Sequence, residues 1–365
     1  MAWSDILSHQ NLVQRFQKSL QRKRMANTYL FVGQEGIGKR TFATKLAQAL
    51  LCEINPEQDL NPCGNCGGCQ QVAAGTHPDL IQVRKPDDKA FIPIELFIGD
   101  KEHRHREGLC HDIGLKPFRG GRKIAIIDDS DFLNVEGANC LLKTLEEPPA
   151  RSVLILIGTS EKRQLKTIVS RSQVIRFLPL DSNQVLQVLQ TIQSSQPERF
   201  EDAPPLEVLA EESGGSVAMA IRLAEPGFLD FKDRLFEKLA SLDPADDFAG
   251  EVAEFVDAAG KEASKKRTRL SHVGDFAIEF YRHLFCTLSG ATEIPESQSK
   301  ILIKHIPRAC NQFSDTPLAS AELAARCIDR TLTFQKQVFA NVGQALAVEA
   351  WLLDLGFICR GEQLV

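Results

Sequence analysis

The stretch Gly33-Gln34-Glu35-Gly36-Ile37-Gly38-Lys39-Arg40 constrains the fold of this 365-residue chain more than any other. The apolar run Tyr29-Leu30-Phe31-Val32 precedes it and reads as a buried strand. Phe42, Leu46 and Leu50 follow at helical spacing, so the order is strand, glycine-rich loop, helix. Glycines let the backbone curl until successive N–H groups face one point, and the helix adds its positive N-terminal end. Lys39 supplies a full charge there. The combination describes a phosphate cradle, and the complete G-x4-G-K in this context sets it apart from an ordinary glycine-rich turn.

One position breaks the pattern. A Ser or Thr after the lysine would hold Mg²⁺, and Arg40 stands there instead. Arginine offers no acceptor oxygen and carries a permanent positive charge to a cation's place. Thr41 belongs to the same loop-and-helix set, but one helical residue turns its hydroxyl by about 100° and it does not simply replace the missing one. Gly33, Gly36, Gly38, Lys39 and Thr41 are the expected cofactor-binding residues of this segment. ATP with Mg²⁺ is the expected ligand class, bound without efficient turnover.

At 43% hydrophobic, the chain is long enough for two or three domains. No run of 18 apolar residues is present, and the sequence opens with Trp3-Ser4-Asp5-Ile6 rather than a signal peptide. The expectation is a cytoplasmic protein with no membrane contact. A formal charge of −5 argues against unaided grip on nucleic acid, so any contact with DNA would be shared with partners.

Cys52, Cys63, Cys66 and Cys69 have the spacing C-x10-C-x2-C-x2-C, with Gly64, Gly67 and Gly68 providing turns between them. Such a knuckle brings thiolates onto one turn of backbone, as tetrahedral Zn²⁺ requires. Zinc is favoured over disulfides or unliganded thiols. With four protein ligands and no open position, the metal would be structural. The neighbours Asn61, Pro62, Asn65 and Gln70 are neither basic nor aromatic, which argues against a knuckle that reads DNA by itself. Cys110, Cys140, Cys286, Cys310, Cys327 and Cys359 are scattered among apolar residues and read as core thiols.

Residues 1–180 alternate between helical and strand patterns, as in an α/β domain with a parallel sheet. A first helix carries Leu12, Phe16 and Leu20, and the knuckle at 52–69 is an insertion. The segment His77–Val83 is expected to lead into a second strand, and further strands are expected over 123–127, 153–157 and 174–177. Residues 181–225 read as a small helical lid and 226–365 as an all-helical domain. The basic run Lys265-Lys266-Arg267 with Arg269 is expected in a solvated loop. His103, Arg104, His105 and Arg106 are expected on a solvated helix face.

A second constellation lies downstream of the loop. Asp128 ends the apolar strand Lys123-Ile-Ala-Ile-Ile127, where a carboxylate would meet Mg²⁺ directly or through water. Asp129 takes the place of a water-orienting glutamate and is one methylene shorter. Asp131 reads as part of an acidic turn. Arg171, in Ser170-Arg171-Ser172, is either a surface ion-pair partner or an arginine finger inserted into a neighbouring subunit's nucleotide site.

These residues together resemble the AAA+ clamp-loader family. The resemblance runs through Trp3–Leu7, the phosphate loop, the four cysteines, Gly75-Thr-His-Pro-Asp79, Lys123–Asp131, Ala138-Asn-Cys-Leu-Leu-Lys-Thr-Leu-Glu146-Glu-Pro-Pro149, Ser170-Arg171-Ser172 and Gly215-Ser216. It covers about the first 225 residues. The remainder matches only as a helical region of suitable length. The resemblance implies a P-loop, RecA-like parallel sheet with a zinc module, a small helical lid and a helical collar that packs into a five-subunit ring. Gamma/tau and delta subunits would be partners, with the sliding clamp and primer–template DNA reached through the complex.

It further implies a stator that lends an arginine finger, Arg171 by position, to the gamma/tau motor subunit beside it. The family's Ser-Arg-Cys is Ser-Arg-Ser here. Thr159 remains in place among the nucleotide-site residues, with Lys39 and Asp128. The lid arginine of motor subunits is missing, since Ser216 is followed by Val217, Ala218 and Met219. A gamma/tau-like ATPase that tolerates Arg40 is the alternative, and a zinc-containing DNA-binding module is a third reading.

Overall fold

The computed structural model describes the chain apart from residues 1–2, 4–5, 7, 87–88, 90, 105, 120, 242–247, 292–298, 314–316, 340–342 and 363–365. Ser4, Asp5 and Leu7 of the opening motif and His105 of the His/Arg-rich segment thus lie outside the described residues. The chain divides into two compact units, Met1–Gln184 with Gly215–Ala218, and Val185–Gly214 with Met219–Val365.

The first unit is built on strands β1 (Thr28–Val32), β2 (Leu80–Val83), β3 (Lys123–Ile127), β4 (Ser152–Gly158) and β5 (Gln173–Arg176). They form one parallel sheet in the order β2-β3-β4-β1-β5. Helices α1 (Gln10–Gln21), α2 (Lys39–Leu50), α3 (Gly67–Ala73), α4 (Glu95–Ile98), α5 (Leu109–Asp112), α6 (Val135–Glu146) and α7 (Lys166–Val169) accompany it. Every residue of β1, β3 and β4 is buried, as expected for parallel strands covered on both faces. Alternate residues of β1 serve two separate cores. Tyr29 and Phe31 join Phe16 of α1, Phe42 of α2 and Phe177, while Leu30 and Val32 join Ile127, Leu141 and Leu156.

That aromatic cluster places the loop. Phe42 packs edge-on against Phe31 and Phe177, with ring centroids 5.9 and 5.3 Å apart, which fixes α2 against β1. The turn from β1 into α2 has its geometry set by these two anchors. Because all strands run in one direction, the segments after β1, β3 and β4 emerge at one edge of the sheet, the usual position of a ligand site in such folds.

The second unit holds most of α8 (Ser182–Ser195), then α9 (Leu206–Glu212), most of α10 (Val217–Leu223), α11 (Phe228–Leu239), α12 (Phe248–Asp257), α13 (Ala263–Leu288), α14 (Lys300–Gln312), α15 (Pro317–Phe339) and α16 (Gln344–Cys359). Its described residues contain no strand. Helix α13 packs along α15, and α15 against α16, where Phe334 and Trp351 stack at 4.5 Å. Lys232 of α11 is fully buried. Its ammonium donates to the Glu212 carbonyl at 2.8 Å and pairs with Glu279 at 3.1 Å and Glu212 at 3.4 Å.

Two local expectations are corrected here. The basic run at 265–269 is not in a loop but in the first turns of α13, with Lys266 2.6 Å from Asp257 and Arg269 3.1 Å from Glu225. Residues 103, 104 and 106 lie in turns rather than on a helix. His103 pairs there with Asp100 at 3.0 Å. No helix among the described residues is long and apolar enough to cross a membrane.

Candidate functional site: the phosphate loop and the cysteine cluster

Gly36 and Gly38 take φ of 75° and 93°, left-handed values that an L side chain rarely adopts. At Gly36 space forbids a side chain as well, because a Cβ would meet the Ala218 Cβ at 2.4 Å and the Ser216 Oγ at 2.5 Å. The segment Gly215–Ala218 lies against the loop. The Ser216 hydroxyl donates to the Glu35 carbonyl at 2.8 Å, and the Val217 N–H donates to the Gly36 carbonyl at 3.1 Å. Two loop carbonyls are thereby fixed by residues almost two hundred positions downstream. Lys39, at the start of α2, is 7% exposed. Its ammonium donates to the carbonyls of Gly33 and Gln34 at 2.5 and 2.6 Å. Burial lowers its pKa, opposed by Asp131, Glu35, Asp128 and Asp129.

The carboxylates that would manage a metal and a water are each engaged by a guanidinium. Arg40 Nε lies 3.5 Å from Asp128 Oδ2, and Arg84 Nε lies 3.4 Å from Asp129 Oδ2. Asp129 has φ of 57°, which departs from the extended path of β3. Burial first, and then Asp129, raises the Asp128 pKa, while Arg40 and Arg84 oppose the shift. Thr159, at the end of β4, donates from both N–H and hydroxyl to Asp131 Oδ2 at 2.8 and 2.6 Å, and Gln164 donates to the other oxygen. Asp131 is thus the acceptor that organises this edge. It was legible only as the last acid of Asp128-Asp129-Ser130-Asp131. Thr41 is exposed on α2.

Gly33, Gly36, Gly38, Lys39, Asp128, Asp129 and Thr159 therefore belong to the same edge of the sheet, at the ends of β1, β3 and β4. The residues fit a phosphate group, since loop, lysine and helix terminus are all present. They do not fit Mg²⁺ in the usual manner, because a guanidinium takes the place of the hydroxyl ligand and faces the aspartate that would share the ion.

Arg171 is elsewhere. It precedes β5, whose Gln173 pairs with Tyr29 near the start of β1, whereas the loop follows the end of β1. The two features lie at opposite ends of the strands, about 15 Å apart along the strand direction. Arg171 donates to Glu146 at 2.6 Å, the Thr167 carbonyl at 3.2 Å and the Ser170 hydroxyl at 3.3 Å. Glu146, the last residue of α6, is thus its holder, a partnership that sequence separation conceals.

The four sulfur atoms of Cys52, Cys63, Cys66 and Cys69 lie within 4.8 Å of one another. Cys52 and Cys66 are 4.0 Å apart and Cys63 and Cys69 3.9 Å. A tetrahedron with Zn–S bonds of about 2.3 Å has edges of about 3.8 Å, so the cluster suits such an ion. Backbone N–H groups of Asn55, Cys66 and Cys69 point at three of the sulfurs at 3.3 to 3.4 Å. The knuckle is tied to the phosphate-loop helix, because Gln48 of α2 donates to the Cys69 carbonyl at 2.8 Å. A Cβ at Gly68 would meet the Leu51 carbonyl at 2.5 Å, which explains the glycine.

The Gly75–Asp79 motif is an anchor. Asp79, 1% exposed, accepts from the N–H groups of Phe118 and Arg119 at 2.7 and 3.3 Å. The Nδ1 of buried His77 accepts from the Asp79 N–H at 3.0 Å.

Comparison with known proteins agrees with this layout. The family described as "DNA polymerase III, delta subunit" matches residues 8–181. The DNA polymerase III subunit delta' of Pseudomonas aeruginosa is 36% identical over 221 residues, 60% of this chain and 62% of that protein. Its counterpart in Bacillus subtilis is 30% identical over 49% of this chain and 51% of its own length. The subunit tau of Bacillus subtilis is 27% identical over 70% of this chain and 40% of its own. Each match takes in less than two thirds of the relative. With a phosphate loop on a five-stranded parallel sheet, the first half of the chain is similar to subunits of DNA polymerase III.

Proposed function

We propose that the chain is a delta-prime-like stator of the DNA polymerase III clamp loader. In this reading it joins gamma/tau and delta subunits in the cytoplasm and supports ATP-dependent placement of the sliding clamp on primed DNA. The observation that carries the reading is the pairing of Arg40 with Asp128, which sets a guanidinium 3.5 Å from the carboxylate a motor would use for its metal. Hydrolysis by this chain is further disfavoured by the short Asp129, turned toward Arg84, and by the absence of a lid arginine.

Arg171 then serves in trans. It lies at the other end of the strands from its own loop, and its side chain remains about a third exposed beside Glu146. An arginine finger commonly adds about 10³ to 10⁵ in rate at the site it completes. Residues 1–180 act as the nucleotide-binding-like domain, 181–225 as the lid and 226–365 as the collar. Cys52, Cys63, Cys66 and Cys69 hold a structural zinc, supported by the near-tetrahedral sulfur spacing.

The gamma/tau-like motor is the competing reading, since tau relatives match nearly as well. ATP hydrolysis by the purified chain separates the two. The stator reading expects no turnover above background. Robust turnover, abolished by Lys39→Ala, contradicts it.

A further inference from the structure

The nucleotide-site edge contains one arrangement that a merely decayed ATPase does not require. A lost hydroxyl at position 40 would be satisfied by any residue, yet the residue present carries a cation whose Nε lies 3.5 Å from Asp128 on a side chain still 54% exposed. The next carboxylate, Asp129, is likewise met by Arg84 at 3.4 Å. Meanwhile the parts that receive phosphate are intact. The loop glycines keep their left-handed conformation, Ser216 and Val217 hold the outward carbonyls, and the Lys39 ammonium rests on two loop carbonyls from which a phosphate oxygen would draw it.

We propose that the Arg40–Asp128 pair is a built-in substitute for the divalent cation, so that the loop takes a nucleoside di- or triphosphate as its metal-free anion. Magnesium in such a site bridges phosphate oxygens and an aspartate through oxygen ligands at about 2.0–2.1 Å. A guanidinium bridges the same partners through N–H donors and needs no hydroxyl at position 40. Arg40 supplies the positive charge, Asp128 orients it, and Lys39 supplies the second cation. Arg84 reduces the repulsion that Asp129 would exert on an anion carrying no metal. The inference deepens the stator reading and rests on its view of the loop as a static site. The stator reading fails on turnover, whereas this one fails on the metal dependence of binding.

Binding of fluorescent ADP and ATP to the full chain, measured once with excess Mg²⁺ and once with EDTA, is the test. The wild-type affinity is expected to stay within about threefold between the two conditions, and Lys39→Ala to lose at least about tenfold in both. Arg40→Thr restores a metal-binding hydroxyl and is expected to bind about tenfold tighter with Mg²⁺ than with EDTA. Arg40→Lys keeps a cation and is expected to remain metal-independent, which guards against a folding defect in the threonine variant. Mn²⁺ resonance spectra give a second readout, with the ion left free by wild type plus nucleotide and immobilised by Arg40→Thr. A wild-type requirement for Mg²⁺, no binding in either condition, or metal-independent binding by Arg40→Thr overturns the proposal.

Discussion

Arg40 Nε stands 3.5 Å from Asp128 Oδ2 at the edge where the loop after β1 meets the end of β3. The pair links an unusual residue of the phosphate loop to the acid that would otherwise hold a metal. It also shows why restoring one part does not restore a motor. With Arg40→Ser, Asp129 is still one methylene shorter than a glutamate, and Ser216 is still followed by Val217, Ala218 and Met219 with no arginine among them. The single variant is therefore expected to show no ATP turnover above the wild-type background in a steady-state assay. Turnover rising about a hundredfold from this one change, equivalent to about 2.7 kcal/mol of barrier, would mean that Arg40 alone suppresses catalysis.

Zinc content checks the knuckle. Metal analysis of purified protein is expected to find one zinc per chain, lost in Cys63→Ser with Cys66→Ser. Because metal binding and folding are coupled, chelation should lower the melting temperature of the first unit. Hydrogen exchange should rise at the C-terminal end of α2, where Gln48 bonds to Cys69. Intact folding accompanied by loss of DNA binding in the double variant would instead favour a knuckle that reads nucleic acid.

Two buried histidines predict an acid sensitivity. Burial lowers the pKa of His9 and of His77 from 6.5, opposed at His9 by the Ile37 carbonyl and at His77 by Asp79. Since the unfolded chain takes up protons first, their contribution is complete above pH 6.5 and is lost as the pH falls from there toward the folded values. Thermal melts from pH 7.5 down to about pH 5 should show falling stability, with a shallower slope in His77→Gln. A slope unchanged by that substitution would place the sensitivity elsewhere.

The second unit offers a test of buried charge. Lys232 is fully buried between Glu212 and Glu279, with its ammonium 5.3 Å from the Phe236 ring centre. Lys232→Ala leaves two acids facing each other and should cost about 3–5 kcal/mol in chemical denaturation. Lys232→Met with Glu279→Gln removes one charge of each sign and leaves Glu212 accepting from the Ser299 hydroxyl and the Ile301 N–H, so it should recover part of that loss. If the alanine variant loses less than about 1 kcal/mol, solvent reaches the cluster and the charges are not confined.

Much of the first unit was legible in sequence because its strands are short apolar runs bounded by glycine and acidic turns. The strand expected at 123–127 occurs there, and the strand expected from the segment 77–83 occupies Leu80–Val83. Phe42, Leu46 and Leu50 are buried on α2 as their spacing implied. The four cysteines were legible from spacing alone, and they converge. What escaped were partnerships across long separations. Arg84 with Asp129, Glu146 with Arg171, and Ser216 with the Glu35 carbonyl depend on how the sheet brings distant segments together. The helical position of the basic run at 265–269 was missed because charge suggests solvent exposure and says little about backbone conformation. Its ion pairs to Asp257 and Glu225 come from other segments of the second unit.

In the proposed function Arg171 serves a neighbour's nucleotide while the chain's own loop does not turn one over. The most direct measurement is DNA- and clamp-stimulated ATPase of the reconstituted complex carrying Arg171→Ala, compared with Lys39→Ala and with assembly followed by size exclusion. Full assembly in both variants, a clear loss of ATPase with Arg171→Ala and little change with Lys39→Ala are expected. Unchanged ATPase with Arg171→Ala, together with a large loss with Lys39→Ala, would contradict the proposed function and identify the chain as a motor.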